Sequence, residues 1–94
     1  MSFRVIYPQP AKDAAKTMLG RAQERGLVTE FMDALRKVDE KLQADGRTYG
    51  EEIHSLPFTK QKVRHAVCYP LVVYWSVHDE EDLVFVKDYK WLPD

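Results

Sequence analysis

Apolar positions along the chain fall into two helical stripes and then switch to alternation. Near the start, Phe3, Val5 and Tyr7 alternate with Ser2, Arg4 and Ile6, which predicts a short strand ended by Pro8 and Pro10. Pro10 suits the first turn of a helix, where its missing N–H costs nothing. Ala11, Ala15, Met18 and Ala22 then recur at helical spacing, and Gly26 offers a stop. The second stripe is stronger: Val28, Phe31, Leu35, Val38 and Leu42 follow a 3-4-3-4 spacing, with Thr29 as a candidate cap and Asp45-Gly46 as the end. Two helices joined at Gly26 predict an antiparallel hairpin.

Arg47 to Thr59 contains Gly50 and Pro57 without a clean period and reads as a loop with one strand-like stretch at most. Beyond it the period is two. Val63, His65, Val67 and Tyr69 face one way, and Lys62, Arg64, Ala66 and Cys68 the other. Leu71 to Val77 is apolar on both faces, the signature of a central strand. His78 to Asp82 is a polar turn, and Leu83 to Trp91 is a last strand. The order is β-α-α-β-β-β, one α+β domain over residues 1–94 with a two-helix hairpin packed on one face of an antiparallel sheet. The opposite face is left open, and function is expected there.

Composition narrows the class only a little. The 94 residues are 45% hydrophobic and 31% charged with a net charge of −1, so no overall field draws the chain to nucleic acid or anionic lipid. Cys68 is the one cysteine, which excludes an internal disulfide. No stretch approaches the roughly 20 apolar residues of a membrane span, and the cytoplasm is the expected location. His54, His65 and His78 are scattered without metal-ligand spacing, and no motif implies a cofactor.

The candidate chemistry is basic. Lys60, Lys62 and Arg64 stand at i, i+2 and i+4, which on a strand puts all three on one face about 6.6 Å apart, a spacing suited to a phosphate backbone. Tyr74 on the next strand could add a stacking surface for bases. The same cations equally fit a solvated strand face. His65, between Val63 and Val67, fits a hydrogen-bonded histidine at the core edge, and the acidic run Asp79–Asp82 fits a charged hairpin turn.

The element order, with Lys62-Val63-Arg64, Leu71-Val72-Val73-Tyr74-Trp75-Ser76-Val77 and Asp82-Leu83-Val84-Phe85-Val86, resembles the RelE/ParE superfamily of bacterial toxin–antitoxin toxins. Tyr49-Gly50-Glu51 is similar to the glycine loop that precedes the meander in that family. The resemblance implies an antitoxin protein as partner, filling grooves on the helical hairpin. Its RelE branch implies metal-independent cleavage of ribosome-bound mRNA. Its ParE branch implies inhibition of DNA gyrase without nuclease chemistry.

In the RelE reading, Lys62 and Arg64 look like the paired basic positions of the second meander strand, and Tyr89 and Lys90 substitute for the family's residues near the end of the last strand. Cleavage needs a base for the 2′-hydroxyl, a cation for the phosphate and an acid for the leaving oxygen. Arg64 or Lys62 would supply the charge, and Tyr89 or His65 the proton transfer. The sequence departs from the family at Pro70-Leu71, where an arginine is usual. That departure favours a different class: a non-enzymatic interaction module of the same fold, dimeric through a free sheet edge.

Overall fold

Both apolar stripes become helices. The computed structural model, which describes residues 3–55 and 61–92, places α1 at Gln9–Arg25 and α2 at Val28–Asp45. Pro10 sits in the first turn of α1, and Gly26 closes it at φ 70°, where the Gly26 and Leu27 N–H groups reach the Gln23 and Ala22 carbonyls. The two helices bury Ala11, Met18 and Ala22 on one side, and Phe31, Ala34, Val38 and Leu42 on the other. The buried alanines keep the hairpin close to the sheet. Thr29 does not cap α2; Leu27 occupies that position without a side-chain cap, and Val28 lies on the outer surface.

The strands are β1 (Arg4–Ile6), β2 (Glu51–Ser55), β3 (Gln61–Cys68), β4 (Leu71–His78) and β5 (Leu83–Trp91), in the spatial order β1-β5-β4-β3-β2. The sheet is antiparallel from β2 to β5, while β1 runs parallel to β5 after the two-helix crossover. β2 is the strand-like stretch of the expected loop. It is an edge strand of sequence Glu-Glu-Ile-His-Ser with a register shift between Glu52 and His54, so it carries little of the alternation that marks a half-buried strand. β4 is flanked on both sides, as its double apolar face predicts.

Leu71, Val73, Trp75 and Val77 of β4 point under the helices, joined by Val84, Val86, Tyr89 and Trp91 of β5. The β5 residues change parity between Val86 and Tyr89. A register shift opposite Tyr74 and Trp75 absorbs the extra residue, Lys87. Without it, Asp88 and Lys90 would point into the core.

Candidate functional site

Cross-strand partners share a face of the sheet, and that rule decides where the basic residues go. Lys62 pairs with Val77, Arg64 with Trp75 and Ala66 with Val73. All three partners are buried beneath the helices. Lys62 and Arg64 therefore lie on the helix-covered side, not on the open side where sequence reasoning placed them. The alternation was read correctly and its direction inverted. Four large apolar residues of β4 claim the helix side, and β3 must follow their register although its own inward residues are small or polar. Lys60 lies outside the described residues.

Arg64 has a structural setting. Its Nε donates to the Tyr49 carbonyl at 2.9 Å, and its Nη2 donates to the carbonyls of Gly50 at 2.8 Å and Thr48 at 3.2 Å. The guanidinium thereby closes the 46–50 connection against the sheet. Trp75 holds the same segment, donating Nε1–H to the Gly46 carbonyl at 3.0 Å and stacking on Tyr49 at 5.6 Å between centroids. Gly50 sits at φ 71°, and a Cβ there would collide with the His65 carbonyl oxygen and press on the Ala66 Cβ at 3.0 Å. The Tyr-Gly turn and Arg64 form one unit. Lys62 stays exposed at the margin that the helices do not reach.

Tyr89 and Lys90 fall on opposite faces. Tyr89 is 7% exposed under the helices, and its phenol is pushed up to about 12 by burial and then by the charge of Asp39. Tyr7 donates to the Asp39 carboxylate, which also accepts from Gln43 Nε2 at 2.7 Å. Burial first and this hydrogen bond second raise the Tyr7 phenol far above the usual tyrosine range. These phenols are poor proton donors at neutral pH. Tyr7 instead ties the chain after β1 to α2 through Asp39, and Tyr89 packs in the core.

The open face carries a different set. His65 pairs with Tyr74 and with Glu51, while Tyr74 pairs with Asp88, giving a row across four strands. The His65 and Tyr74 rings stack at 6.0 Å, and Lys90 Nζ lies 5.3 Å from the Tyr74 ring centre in a cation–π contact. His65 is not a core-edge residue: it is half-buried on the open side, and its Nδ1 has no hydrogen-bond partner among the described residues. Val63, Val67 and Val72 share this face, and Val67 remains 56% exposed and neighbouring Tyr69 60% exposed. A flat patch of aromatic and aliphatic surface with one cation and two flanking carboxylates suits contact with a partner. It does not assemble a base, a cation and an acid around one phosphate.

Tyr74 and Lys90 thus meet on one side, while Lys62, Arg64 and Tyr89 share the other. The contact of His65, Tyr74 and Lys90 escaped sequence reasoning because it depends on register between strands that are distant in sequence. Alternation did place Val63, His65, Val67 and Tyr69 together. Among the described residues no group of three or more His, Cys, Asp or Glu side chains is placed to hold a metal ion, and no helix is long and apolar enough to cross a membrane. Comparison of the chain with family models and with curated proteins finds no match.

Proposed function

We propose that this chain is a RelE/ParE-like toxin-family protein that acts by binding a cellular target, without cleaving RNA. The observation that carries this reading is the setting of Arg64, whose guanidinium is engaged by the Thr48, Tyr49 and Gly50 carbonyls on the helix-covered side. The cation best suited to a phosphate transition state is held away from the open face. There the contact surface is Tyr74, His65, Lys90 and the exposed valines, an amphipathic patch of the kind that protein partners cover. On the opposite side, α2 exposes Met32 at 50% and Val28 at 37%, apolar side chains that an amphipathic antitoxin segment would cover.

The test is controlled expression of the full chain in bacteria, with growth and transcript integrity followed together. Growth arrest with intact transcripts is the expected result, relieved by Tyr74→Ala with Lys90→Glu. New transcript ends on induction would make the protein a nuclease. Normal growth despite soluble, folded protein would remove the toxin reading and leave the non-enzymatic interaction module.

A further inference from the structure

The two neighbours of β5 cover it unequally. β4 pairs with it from Leu83 to Trp91, whereas β1 meets only Leu83, Val84 and Phe85. β1 stops there for a local reason: Pro8 has no N–H to donate, and Pro10 in the first turn of α1 takes the chain away from the sheet edge as a helix. From Lys87 to Trp91 the outer edge of β5 has no strand beside it among the described residues.

Backbone groups of this stretch face outward. The Leu92 N–H donates to the Pro70 carbonyl at 3.0 Å, so the adjacent Leu71–Trp91 pair is a non-hydrogen-bonded one, and the Trp91 N–H and C=O point away from β4. Tyr89, two residues earlier, shares that side: its N–H donates to the Asp88 carboxylate at 2.8 Å instead of to β4. Beside this edge a cleft of about 280 Å³ lies between β5 and α1, lined by Ala14, Met18 and Arg21 of the helix and by Tyr89, Lys90 and Trp91 of the strand. The small side chain of Ala14 leaves room there. The surrounding charge is basic. Arg21 and Lys87 are exposed, and neither enters an ion pair with another described residue. The Asp88 carboxylate is already engaged by the Tyr89 N–H.

We propose that the β5 edge from Lys87 to Trp91 is a docking site for an extended acidic peptide segment, which adds to the sheet as a strand in line with β1. A carbonyl of the segment replaces Asp88 as acceptor for the Tyr89 N–H, and its carboxylates lie against Arg21 and Lys87. The outward backbone groups require an extended chain, and the unpaired cations require acidic side chains. The site does not rest on the toxin reading, and its test leaves His65, Tyr74 and Lys90 unaltered.

Amide hydrogen exchange and amide shifts of the labelled full chain, titrated with a short peptide of alternating threonine and glutamate, test the site. Saturable binding is expected to slow exchange at Tyr89 and Trp91, whose N–H groups face outward, and to leave Asp88 and Lys90 little changed. Exposed-site reversal by Arg21→Glu with Lys87→Glu should weaken the peptide about tenfold, with the fold intact by circular dichroism, and added salt should weaken it in the parent chain. The same peptide with its amides N-methylated keeps the charge, loses the donors and should not bind. Absence of saturable binding up to about 1 mM peptide would overturn the proposal. So would protection without this alternation, or equal binding of a threonine–lysine peptide. Protection of Tyr89 and Trp91 that grows with protein concentration alone would replace the acidic segment with a second copy of this chain.

Discussion

Replacing Arg64 with alanine separates a structural arginine from a functional one. The guanidinium makes three hydrogen bonds to consecutive carbonyls, at 2.9, 3.2 and 2.8 Å. A hydrogen bond to a charged group contributes about 1.5–3 kcal/mol when buried. Arg64 is only partly buried, however, and water can reach the carbonyls released by truncation. Solvent screening brings the sum to roughly 2 kcal/mol. For a domain of this size that is roughly 8–16 °C in melting temperature.

Thermal unfolding followed by circular dichroism, with urea unfolding as a second measure, reads this loss directly. Arg64→Lys should recover little, since an ammonium cannot match three carbonyls as a planar fork does. Lys62→Ala is the control: an exposed cation on the same strand should change stability by less than about 0.5 kcal/mol. If Arg64→Ala melts with the parent protein, the guanidinium is not a structural clasp, and the argument that removes it from phosphate chemistry fails with it.

Burial pushes the Tyr89 phenol up to about 12 from an ordinary value of 10.0, and burial with the Asp39 hydrogen bond raises Tyr7 further in the same direction. The folded state therefore holds these protons longer than the unfolded chain. Their contribution is complete below pH 10 and is lost as pH rises from about 10 toward 12, at no more than roughly 1.4 kcal/mol per pH unit for Tyr89 and less for the half-buried Tyr7, which water screens. Tyrosinate absorbance combined with circular dichroism should show unfolding in that window, delayed in the Tyr7→Phe, Tyr89→Phe double variant; ionisation of both phenols near pH 10 in the folded protein would contradict this. Gly50→Ala should cost at least about 2 kcal/mol in urea unfolding, combining the left-handed backbone penalty with the collision at the His65 carbonyl, and a neutral result would show that the turn is free to move.

What the amino acids dictate locally was legible before the fold was known. The 3-4-3-4 stripe of α2 can bury only one side of a helix, Gly26 admits the left-handed conformation that ends α1, and the run from Leu71 to Val77 needs cover on both faces. These depend on residues close together in the chain, so periodicity reveals them. β2 was hidden because an edge strand has one neighbour and little burial to enforce alternation. The side of the sheet to which Arg64 belongs was hidden for a stronger reason. A strand's alternation is symmetric, and β3 offers valines on one side and cations with Ala66 on the other. Only its register against Leu71, Val73, Trp75 and Val77 breaks that symmetry, and it breaks it against the intrinsic preference of β3. The deeper burial of β4 outweighs the polarity of its neighbour. Tertiary packing therefore decided which side chains the open face presents, and with them which chemistry it can support.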